Sequence, residues 1–146
     1  SLSELFRTNT ADFRKYEEIG THPAANHNAI SVALAFHQAI GGARKVARLR
    51  YLRDRWARRV TRENERCRLL TPLDSPQSAG IGLVQVAGMD PNQLVSWLMA
   101  KHRIVVTPIV HAEFNGIRVT PNVYTTVREV DLFAEKLLQA AREGIS

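Results

Sequence analysis

The chain has 146 residues, 45% of them hydrophobic and 23% charged, which suits one globular domain with a real core and not a disordered tail. No apolar run approaches the roughly 18 residues that cross a bilayer, so no membrane-spanning helix is expected, and the single cysteine, Cys67, excludes an internal disulfide. The formal net charge of +6 invites a nucleic-acid reading, while Ser1 in place of a methionine reads as the start of an excerpt.

Residues 1–19 are polar, with Leu2, Leu5, Phe6, Phe13 and Tyr16 as scattered anchors, and read as an arm. Gly20-Thr21-His22-Pro23 is a loop by its glycine and proline. From about 24 to 40 the sequence is small and apolar on most faces, a pattern expected of a buried helix. Gly41-Gly42 ends it, and a basic helix begins near residue 43. Between Arg44 and Arg68 lie eleven basic and three acidic residues, a net of +8 against −2 for the rest of the chain.

That basic segment is periodic. Val46, Leu49, Leu52 or Arg53, Trp56 and Val60 recur at steps of three and four and draw an apolar stripe. A surface helix whose arginine stems cover neighbouring apolar groups explains it better than phosphate tracking, because the aromatics, glycine loops and zinc spacing of nucleic-acid modules are missing.

Beyond it, residues 67–71 and 81–86 read as strands around a loop at 72–80 with two prolines. Asp90-Pro91-Asn92-Gln93 is a helix start, with Leu94, Val95, Leu98 and Met99 as its inner face. Residues 104–109 read as a buried strand and 116–120 as a shorter one. Thr126-Val127-Arg128-Glu129 is a capping box for a last helix with Val130, Phe133, Leu137, Leu138 and Ala141 inward and Gly144 at its end. The expected class is α+β, a small mostly antiparallel sheet covered by helices and preceded by two long helices.

The five histidines, His22, His27, His37, His102 and His111, show no metal spacing, so no metal site is expected. Cys67 reads as a small apolar strand residue, and Glu17-Glu18 as a solvated pair. Two stretches point to ligands. Gly20-Thr21 before a helix offers a hydroxyl and backbone N–H groups to an anion, or simply caps that helix. Arg118, between Ile117 and Val119, is the lone charge in its strand and suits a two-pronged grip on a carboxylate or an internal ion pair.

In order and spacing, Glu17-Glu18-Ile19-Gly20-Thr21 running into an alanine-rich helix, then Ile117-Arg118-Val119-Thr120-Pro121, then Tyr124-Thr125-Thr126 and an acid-capped last helix resemble the class V aminotransferase family. These are pyridoxal-phosphate enzymes of fold type I, among them cysteine desulfurases, selenocysteine lyases and isopenicillin N epimerase-like proteins. The likeness runs from about residue 13 to 140 and is nearest the epimerase-like branch.

The resemblance implies an N-terminal arm and loop at 1–23 and a C-terminal small domain at 24–146. A larger preceding domain would hold the pyridoxal 5'-phosphate and its Schiff-base lysine. None of Lys15, Lys45, Lys101 and Lys136 stands in that lysine's context, so the chain alone is not expected to be catalytically competent. By the same resemblance Gly20 and Thr21 reach the cofactor phosphate of the neighbouring subunit in a homodimer, Arg118 binds the substrate's α-carboxylate, and His111 is a candidate border residue. Thr120 and Thr125 replace the family's frequent Ser and Asn. Lyase, desulfurase, epimerase and aminotransferase outcomes share this machinery, in the cytoplasm by default. Two other readings stand beside it: a binding module using the arginine-rich helix 43–66 on nucleic acid or an acidic partner, and a dimerisation fragment without chemistry.

Overall fold

The computed structural model describes residues 24–145, which divide after Ala39 into two units. The first is helix α1 (Ala24–Ile40), with the bounds its composition predicts. Its expected burial is not met among the described residues of its own unit. Ile30, Val32, Leu34 and Phe36 are all more than half exposed, and His37 is exposed with them.

The second unit is α+β. Helix α2 (Gly42–Glu63) leads into β1 (Cys67–Leu69) and β2 (Gly82–Val86), followed by α3 (Pro91–His102), β3 (Thr107–Val110), β4 (Asn115–Val119) and α4 (Val127–Glu143). The four strands form one sheet in the order β1-β2-β4-β3, antiparallel at every junction.

Register explains the layers. Cys67 faces Val86, Val84 faces Ile117 and Gly82 faces Val119, so one face of the sheet collects the apolar side chains. Helices α2 and α4 pack together, α2 covers β1 and β2, and α3 covers β3 and β4. Leu52, Trp56, Val60, Val84, Leu98, Ile117 and Leu137 are sealed in this layer. Trp56 stands edge-on to Phe133 at 5.4 Å and lies flush on β2, where a Cβ at Gly82 would come within 2.6 Å of its ring.

The helix starts form as their sequences dictate. Asp90 Oδ1 accepts from the Gln93 backbone N–H at 2.9 Å. Thr126 and Glu129 close a reciprocal capping box, and those hydrogen bonds hold the Glu129 carboxyl below its ordinary range. Two expectations need correction. Residues 104–106 are not strand, because the Ile104 N–H turns back to the Leu98 carbonyl at 3.1 Å and closes α3. Met99 is half exposed, leaving Pro91, Leu94 and Leu98 as the buried side of that helix.

Several arginines of the basic segment are tied to groups of the protein itself. Arg53 is fully buried within the apolar stripe. Its Nη1 donates to the Ala79 carbonyl at 2.6 Å, its Nη2 to the Leu73 carbonyl at 2.8 Å, and its Nε to Asp54. Arg50 takes the Ser78 and Pro76 carbonyls, so two guanidiniums hold the loop between β1 and β2. Arg66 bridges the carbonyls of Ala87 and Ala141, and Arg48 that of Thr125. Arg55 grips Asp131 on α4 with two bonds, 2.6 and 2.8 Å.

Removing one partner of a buried charge network strands the rest. Arg53→Ala is expected to cost about 3–5 kcal/mol in urea unfolding, against less than about 0.5 kcal/mol for exposed Arg44→Ala. The Arg55 guanidinium lowers the Asp131 carboxyl below its usual range. The stabilisation this pair provides is therefore present above the ordinary carboxylate pKa and is lost as pH falls through the depressed one. The difference in Tm between wild type and Asp131→Asn is expected to hold constant above about pH 5 and to shrink steadily as the pH falls below about 4.

Candidate functional site

Among the described residues of this unit, the face of the sheet opposite the helices is open. Alternation along β4 turns Ile117 and Val119 into the core and leaves Arg118 exposed on the open face. Arg118 pairs in register with Leu83 on β2 and Thr107 on β3, so the backbone beneath it is held by strands on both sides. It makes no hydrogen bond or ion pair with any described residue. Among the described residues no acid pairs with it, so within them the guanidinium is rigidly mounted with its fork unoccupied.

The turn that follows is equally ordered. The Asn122 N–H donates to Thr125 Oγ1 at 2.9 Å, and the Thr125 N–H donates to the Asn122 carbonyl at 3.0 Å. Tyr124 stands 78% exposed at its tip. The position of β4 depends on Gly116, where a Cβ would lie 2.5 Å from the Val84 carbonyl oxygen.

A smaller hollow of about 200 Å³ opens at the β3–β4 hairpin, lined by Arg68, Gln85, His111 and Phe114 among others. His111 stacks on Phe114 at 4.7 Å, and its Nδ1 accepts from the Glu113 N–H. Arg118 does not line this hollow, so His111 and Arg118 are not brought together in it. Gly20 and Thr21 lie outside the described residues. Arg68 was overlooked in the sequence: it too is an exposed arginine inside a strand, without a partner among the described residues. The alternation that singles out Arg118 applies equally to it.

Cys67, on the core side, packs as the small apolar residue its context implies, and burial pushes its thiol pKa up.

No family model matches the chain. The fold resembles an apo structure of cysteine desulfurase from Thermococcus onnurineus NA1, with a TM-score of 0.76 and 20% identity over 88% of this chain and 34% of that one. It also resembles tryptophan decarboxylase of Catharanthus roseus in complex with L-tryptophan, with a TM-score of 0.53 and 14% identity over 70% of this chain and 24% of that one. The architecture is thus cysteine desulfurase-like. In sequence, the probable hercynylcysteine sulfoxide lyase of Mycobacterium tuberculosis is 35% identical over 116 residues, covering 75% of this chain and 29% of that protein. The chain thus spans about three-tenths of that relative's length, and these likenesses agree with the resemblance to class V pyridoxal-phosphate enzymes read from the sequence.

Gly116→Ala is expected to push β4 off β2 and to cost about 1–3 kcal/mol. The urea midpoint should fall accordingly, with the helical circular dichroism signal of the native protein retained.

Proposed function

We propose that this chain is the substrate-holding small domain of a pyridoxal-phosphate enzyme acting on an amino acid, with Arg118 as the residue that binds the α-carboxylate. The observation that supports this most directly is Arg118 itself, exposed on a strand locked from both sides and without a partner among the described residues. A carboxylate offers two oxygens to a guanidinium fork, and the charge-assisted bonds between them fix orientation as well as affinity.

The described residues fit the substrate end of such a site and not the cofactor's anchor. Lys45, Lys101 and Lys136 ride on α2, α3 and α4, the helices that cover the far side of the sheet from Arg118. The lysine would come from the larger domain, and Gly20-Thr21 would approach the cofactor phosphate across a homodimer interface. In the complete enzyme the cofactor supplies the electron sink. The part of this chain is to hold one end of the substrate still, so that the bond to be broken meets the cofactor in one geometry.

Lyase chemistry is the outcome we favour over transamination, since a relative 35% identical over 116 residues is a probable hercynylcysteine sulfoxide lyase. A nucleic-acid or acidic-partner role for residues 43–66 is disfavoured, because Arg48, Arg50, Arg53, Arg55 and Arg66 are already occupied by protein groups.

In the full-length enzyme, Arg118→Ala is expected to raise KM for the amino-acid substrate about a hundredfold while leaving Tm nearly unchanged. Arg118→Lys should recover part of that loss, since an ammonium keeps the charge without the fork. An unaltered KM in Arg118→Ala would remove the assignment.

A further inference from the structure

The hollow of about 200 Å³ at the β3–β4 hairpin carries two opposite charges that the role proposed for Arg118 does not use. It lies on the open face, because Arg68, Leu70 and Gln85, which line it, alternate with the core residues Cys67, Val84 and Val86. Arg68 stands opposite Gln85 on β1. On the other side of β2, Gln85 Nε2 donates to Asn115 Oδ1 at 2.7 Å, and Glu113 sits in the hairpin two residues before Asn115. Strand β2 therefore separates the cation's strand from the anion's hairpin, with β1 and β4 about 10 Å apart.

Both charged groups line the hollow and are exposed. Neither side chain has a partner among the described residues, and they do not pair with each other. Each is thus accessible to a ligand. The Glu113 backbone N–H donates to His111 Nδ1 at 3.2 Å, and His111 stacks on Phe114, so the hairpin holds its carboxylate near an aromatic pair. Phe114 is 43% exposed. An ammonium would meet a carboxylate and an aromatic face there, while a carboxylate would meet a free fork at Arg68.

Opposite charges in one hollow disfavour either simple ion, since an anion meets Glu113 and a cation meets Arg68. A ligand that carries both charges answers both ends at once. The volume is smaller than that of drug-sized sites and suits a molecule the size of an amino acid. From this we infer that the hollow binds a small zwitterion of the amino-acid class, with its carboxylate on Arg68, its ammonium toward Glu113 and Phe114, and its apolar part against Leu70. The inference does not rest on the role proposed for Arg118, which does not line the hollow.

The test is a titration of the 146-residue chain with L-valine, read by the backbone N–H cross-peaks of Glu113 and Asn115 in a proton–nitrogen correlation spectrum. Two probes keep valine's skeleton and lose one charge each: 3-methylbutanoate has no ammonium, and 2-methylpropylammonium has no carboxylate. A saturable shift with L-valine is expected, weaker by about fivefold or more for either probe. Arg68→Gln and Glu113→Gln should each weaken valine binding to the same extent without moving Tm, both positions being exposed. Arg118→Ala should leave the titration unchanged. The inference is overturned if the two peaks do not saturate up to about 50 mM, if either singly charged probe binds as well as valine, or if either variant binds like wild type. Loss of the shift in Arg118→Ala would overturn it too, by placing the ligand beside Arg118 instead.

Discussion

The buried guanidinium of Arg53 is the constraint on which the rest of this domain hangs. It occupies a place in an otherwise apolar stripe, where an unpaired charge would be untenable, and is satisfied by one carboxylate and two carbonyls of the loop between β1 and β2. Such a network adds little net stability over a hydrophobic replacement, yet it is demanding about geometry. The geometry here delivers the chain into β2 at Gly82, the position against which Trp56 lies flush. Strand β2 then sets the register of β4, and β4 presents Arg118.

The same logic runs through the basic helix. Arg48, Arg50 and Arg53 are long enough to reach across the layer and end on carbonyls of loops, as Arg66 just beyond the helix ends on those of Ala87 and Ala141. These are the acceptors that secondary structure leaves unsatisfied. A run of positive charge that looks like a phosphate-binding surface in sequence is, in three dimensions, a set of internal ties. The guanidiniums left on the sheet's open face, Arg68 and Arg118, come from strands, where alternation turns them away from the core.

Much of the fold was legible beforehand. Asp90, Thr126 and Gly144 announced helix ends because a cap acts on backbone groups within three or four residues. The inner face of α4 could be read directly from its period. The ambiguity at Leu52 or Arg53 was real, since period alone cannot say that an arginine belongs inside; only the loop carbonyls that meet it decide that. The strand expected at 104–109 failed in its first half because an apolar run does not reveal whether its first amides close the preceding helix or join a ladder. Arg68 was passed over because it was counted with the charge of the segment 44–68, although it falls in the strand read at 67–71.

Interactions between near neighbours in the chain therefore settled the class, the helix limits and the likeness carried by residues 117–126, since caps, periods and turn residues work through local backbone geometry. Which arginines are tied and which are left open among the described residues, and which face of the sheet the helices cover, were decided by strand register and helix packing. Those depend on groups far apart in sequence, whose pairing no local pattern encodes.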